Sequence, residues 1–63
     1  MPKLTADDVS RIRGTETQIR FAARLGTHIS TIKRWERGAF SPNRFYASKL
    51  RALARRRKVE VAS

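Results

Sequence analysis

Cysteine is absent from this 63-residue chain, which excludes a disulfide framework and any thiolate metal site. The single histidine, His28, has too few companions to make a structural zinc site. No apolar run approaches the roughly 20 residues needed to cross a bilayer. The N-terminus lacks the apolar core of a secretory signal, so a cytoplasmic location is the expectation. Aromatic residues make up only 8% of the chain, which argues against a ladder of base-stacking platforms. Acidic residues are also scarce, 5 against 15 Lys and Arg, for a formal net charge of +10. That imbalance points to a polyanionic partner, either nucleic acid or an acidic membrane surface.

Catalytic constellations are missing as well. No base stands beside a plausible nucleophile and no phosphate-cradling loop occurs, so neither an enzyme nor a cofactor is expected. A chain this short holds one small domain, and below about 70–80 residues a single core rarely supplies a comfortable stability margin. Compact helix packing, supported by a partner chain, is the remaining solution.

What is present is punctuated like a helical protein. In "LTADDV", Thr5 is placed to cap a helix, with Asp8 three residues later in a capping box and Leu4 and Val9 at staple spacing. Val9 and Ile12 mark its buried side and Gly14 its end. "TQIRFAARLG" follows, capped by Thr17 and stopped by Gly26. Phe21, Ala22 and Leu25 form its apolar stripe, with Arg20 and Arg24 towards solvent and Ile19 partly exposed. In "HISTIKRWERG", Thr31, Ile32 and Trp35 share one sector, while Ser30, Lys33, Arg34 and Arg37 occupy the other. In the final helix, Ser41 before Pro42 reads as cap and first helical residue. Tyr46, Leu50 and Leu53 form the buried stripe there, flanked by Ala47 and Ala54. Residues 1–54 are thus expected to form the domain and residues 55–63 a basic tail that attracts phosphate without regard to sequence.

The middle pair, joined by "GTH", has the spacing of a helix-turn-helix, whose second helix buries one face and offers the other to the DNA major groove. Arg and Lys suit guanine O6 and N7, Ser is adaptable, and Ile29 at the border suits a thymine methyl.

"TQIRFAARLGTHISTIKRWERG" closely resembles the core of the phage repressor/Cro-like family of helix-turn-helix proteins, the Xre type. The pattern falls on Gln18, Ala22, Gly26, Ile32, Trp35, Glu36 and Gly38, continues to Pro42, Leu50 and Leu53, and spans residues 9 to 54. The resemblance implies an all-α, compact four-helix, lambda-repressor-like domain, here without the fifth helix common among relatives. It implies base readout by Ile29, Ser30, Lys33 and Arg34. Phosphate contacts would fall to Thr17, Gln18, His28, Arg37, Asn43 and Arg44. It also implies an ion pair between a basic residue of the first helix and the Glu of the recognition helix, here Arg11 with Glu36. The departures are the "RGTE" connection, Thr27, His28 and Ala47. They imply a smaller core than usual, compensated by Phe21, Phe40 and Tyr46.

The expected function is a transcriptional regulator of phage or bacterial type, a repressor or autoregulator acting by operator occlusion. Its partner is double-stranded DNA, bound as a homodimer on an inverted repeat; an antitoxin-like role would add a toxin as protein partner. The alternatives are a non-specific RNA- or ribosome-associated protein and a cationic membrane-surface peptide. Gly and Pro punctuation and apolar faces shared in one bundle disfavour the latter, so no membrane partner is expected.

Overall fold

The computed structural model describes residues 3–61. Within them the chain is all-α, with four helices in the order α1 (Ala6–Arg13), α2 (Gln18–Leu25), α3 (Ile29–Glu36) and α4 (Arg44–Arg57), and no strand.

Local chemistry sets most of the helix ends. The Thr5 hydroxyl accepts from Asp8 N at 3.1 Å, and the Asp8 carboxylate accepts from Thr5 N at 3.0 Å, closing the capping box. Thr17 accepts from Arg20 N at 3.2 Å and so caps α2. Gly26 ends α2 in the left-handed region (φ 75°, ψ 34°), where a side chain would be strained although nothing obstructs a Cβ. It begins the three-residue turn Gly26–Thr27–His28 into α3.

One start differs from the sequence reading. Asn43, not Ser41, caps α4, its side-chain oxygen accepting from Tyr46 N at 3.0 Å. Pro42 therefore lies before the cap instead of inside the first turn. Asn43 takes the extended backbone of a cap (φ −71°, ψ 176°), and its side-chain oxygen reaches the N–H three residues on, so the helix starts at Arg44.

The helices close over one core. Val9 and Ile12 from α1, Phe21, Ala22 and Leu25 from α2, Ile32 and Trp35 from α3, and Leu50 and Ala54 from α4 are buried, together with Leu4. Tyr46 is half-buried and its ring packs on Trp35 at 5.5 Å between centroids. Phe40, expected to help fill the core, is instead 48% exposed. It lies in the α3–α4 connection, and no apolar stripe of a helix directs it inward. Phe45 and Ile19 are also exposed, at 61% and 66%.

The C-terminal segment is the second departure. Helix α4 continues through Arg57, and Val59 and Val61 pack against the core. Arg57 Nη1 donates to the carbonyl oxygens of Ile12 and Arg13 at 3.0 and 3.2 Å, and Nη2 to Glu16 at 2.9 Å. The carbonyls at the end of α1 carry the negative end of the helix dipole, so a guanidinium is stabilised there. Lys49 Nζ does the same for α2, donating to Leu25 O at 3.3 Å. Two cations of α4 thus cap the ends of the first two helices.

Candidate nucleic-acid interface

Helix α3 is short, and its two faces are in opposite environments. Ile32 and Trp35 are buried, at 0% and 3% exposure, which fixes the helix on the core. Ser30, Lys33, Arg34 and Arg37 are exposed. Their spacing of i, i+3, i+4 and i+7 puts them on one face over about 10 Å. Among the described residues, no ion pair or hydrogen bond engages the side chains of Lys33, Arg34 or Arg37. Asp8, Glu16 and Glu36 pair with other arginines, and these cations face solvent with their donors free. Ile29 is half-buried at the border of this face.

Glu36 is the one acid of α3, and its partner differs from the one the family resemblance implies. Its carboxylate accepts from Arg13 Nε at 2.7 Å and Nη2 at 3.1 Å, a two-pronged pair, and from Gln18 Nε2 at 3.3 Å. Arg11 pairs instead with Asp8, at 2.9 Å one turn back along α1. Residues two apart on a helix point about 200° from one another, so only one of Arg11 and Arg13 can face α3. The Glu36 bond raises the Arg13 guanidinium above its ordinary value, against the opposing effect of burial. Arg13 Nη1 also donates to Glu16 O at 2.8 Å. Glu36 therefore joins α1, α2 and α3, and its charge is compensated before it can oppose the cations around it.

The remaining residues with expected phosphate contacts divide between engaged and free groups. The Thr17 oxygen is occupied by its cap bond as an acceptor, leaving its hydroxyl hydrogen to donate. Gln18 has turned one amide N–H to Glu36 and retains the second. His28 occupies the N-cap position of α3, yet its ring makes no cap bond and is exposed. Asn43 spends its side-chain oxygen on the α4 cap and keeps its amide hydrogens, with Arg44 exposed beside it.

A further cluster was not legible in the sequence. Glu16, in the α1–α2 connection, receives Arg24 at 2.8 Å and Arg57 at 2.9 Å. Hydrogen bonds from Arg24, then Arg57, lower its carboxyl to about 2. Glu16 closes the "RGTE" stretch, and its charge binds the connection to α2 and α4. Sorting the basic residues leaves Arg11, Arg13, Arg24 and Arg57 in ion pairs. The free positive charge is accordingly richer in α3 than composition alone suggests.

Among the described residues, no group of three or more metal-ligating side chains occurs, and no helix is long and apolar enough to cross a membrane. No family model, curated protein or solved structure matches this chain.

Proposed function

We propose that this chain is a sequence-specific double-stranded DNA-binding protein, a small repressor or autoregulator that occludes an operator. The observation that carries the reading is the α3 face of Ser30, Lys33, Arg34 and Arg37, exposed and unpaired on a helix whose other face is anchored by Ile32 and Trp35. A rigidly seated helix with free donors at one-turn spacing suits the major groove, where Arg and Lys read guanine edges. The turn Gly26–His28 between α2 and α3 fits a helix-turn-helix, and the sequence resemblance to the repressor/Cro-like family supports the same roles. Thr17, Gln18, His28, Arg37, Asn43 and Arg44 would hold the flanking phosphates, fixing register without reading sequence. One copy spans only a few base pairs, so two copies on an inverted repeat, about 34 Å apart, would give useful specificity. Such a role belongs in the cytoplasm of a phage-infected or bacterial cell.

Selection from a randomised duplex library, at physiological salt with excess competitor DNA, tests this. Enrichment of an inverted repeat is the expected result. Tight, salt-sensitive binding without enrichment of any motif would overturn sequence-specific readout and favour a general nucleic-acid binder.

A further inference from the structure

Beside the N-terminal arm, the α3–α4 connection and the first turns of α4 border an open cleft of about 650 Å³. Its lining is of two kinds. Leu4, Pro42 and Ala47 contribute apolar surface, and Phe40 adds an aromatic ring that is 48% exposed. Lys3 and Arg44 contribute positive charge, Arg51 being already engaged, and none of the described lining residues is a carboxylate. Arg44 and Ser48, four apart, share one side of the first turns of α4.

We propose that this cleft docks an acidic, amphipathic segment of another protein. Its carboxylates would meet Lys3 and Arg44, and an aromatic or aliphatic side chain would cover Phe40, Pro42 and Ala47. A second copy of this chain is a poor occupant. Asp8, Glu16 and Glu36 are committed to internal pairs, which leaves Asp7 and Glu60 as the exposed acids on a chain of net charge +10. Duplex DNA satisfies the cations but leaves the apolar wall uncovered. A single strand would find one exposed ring here, not a series of platforms. An acidic segment with an apolar anchor satisfies both parts of the lining, in the manner of a helix laid in a groove. On the DNA-binding reading given above, it would also take Arg44 from the phosphate backbone, so the partner would release the protein from its operator.

Calorimetric titration of the full chain, without DNA, tests the docking directly. The probe is a synthetic amphipathic peptide of about 15 residues, long enough for about 22 Å of helix, with Glu on one face and Leu and Phe on the other. The comparison peptide has the same charge, with Ser in place of Leu and Phe. The amphipathic peptide is expected to bind at least about tenfold more tightly, and Phe40→Ser and Arg44→Glu each to remove most of that advantage. Arg34→Ala should leave it unchanged. Both cleft variants alter exposed side chains, and an unchanged helical circular dichroism spectrum would certify their fold. Equal binding of the two peptides, or indifference to Phe40→Ser, would overturn the proposal, as would Phe40-dependent displacement of the peptide by single-stranded DNA. Phe40 lies outside the exposed face of α3, so duplex binding by Phe40→Ser reports on the DNA reading separately from the cleft.

Discussion

Arg13 and Glu36 meet through two hydrogen bonds, of 2.7 and 3.1 Å, across 23 positions of sequence. The pair holds α3 to α1 and uses a partly buried carboxylate, with 10% of its side chain exposed. Glu36→Gln is expected to cost about 1–2 kcal/mol of stability, in the range of a hydrogen bond to a charged group and discounted for solvent. Urea unfolding followed by Trp35 fluorescence would measure it. In a double-mutant cycle, Arg13→Ala and Glu36→Ala should couple, whereas Arg11→Ala and Glu36→Ala should add.

Acid should weaken the fold through Glu16, which ties the α1–α2 connection to α2 and α4. The Glu16 carboxyl lies at about 2 in the folded chain, against 4.5 ordinarily. Its lowered value makes its contribution fully present above about 4.5 and progressively lost as pH falls towards 2, because the unfolded chain takes up the proton first. Stability measured across that window should fall in the parent and fall less steeply in Glu16→Gln. Identical slopes would show that the arginines gain nothing from the Glu16 charge.

Arg56 and Arg57 are neighbours with different expected phenotypes. Arg57→Ala removes two carbonyl bonds and an ion pair and should destabilise by about 1–3 kcal/mol. Arg56 is exposed, and Arg56→Ala should leave the melting temperature nearly unchanged while weakening all DNA sequences alike and reducing the salt slope. Thermal melts and salt-dependent binding on the same two variants separate the roles.

Arg34→Ala is expected to cost about 1–3 kcal/mol on the selected operator and to relax base preference at one position. A loss equal on specific and random DNA would mean that Arg34 touches phosphate only. Competition binding against single-base operator variants makes the distinction.

Leu50 is fully buried where α4 crosses the core. Leu50→Ala should lose about 2–5 kcal/mol. A domain of this size holds a margin of about 3–5 kcal/mol, so a largely unfolded circular dichroism spectrum at room temperature is the expected outcome.

The features legible in the sequence are those decided within one or two turns of chain. Thr5 with Asp8, Thr17, Gly14 and Gly26 act through neighbours three or four residues away, and the stripes Val9–Ile12, Phe21–Leu25 and Ile32–Trp35 follow helical period. Ser41 and Asn43 are both competent caps two residues apart, and only the folded backbone shows that Asn43 makes the bond. The partner of Glu36 was misassigned for a different reason. Arg11 and Arg13 are equivalent in composition, and only the rotation of α1 on the core distinguishes them. Arg57, Lys49 and Glu16 act over 24 to 45 positions, beyond any periodic signal. A run such as "RRRK" looks uniform when written, although one of its arginines is built into the end of α1.

Arg57 reaches back to Ile12 and Arg13, and Leu50 and Ala54 complete a core otherwise built from the first three helices. During synthesis, α1 to α3 leave the ribosome with Val9, Ile12, Phe21 and Trp35 still lacking this cover. A nascent chain at that stage carries all of α3, Ser30, Lys33 and Arg34 included, but has no settled platform on which to hold it. The exposed basic face of α3 is therefore fixed in place only once α4 has joined the core, and a fragment stopped before Leu50 would be a target for proteolysis.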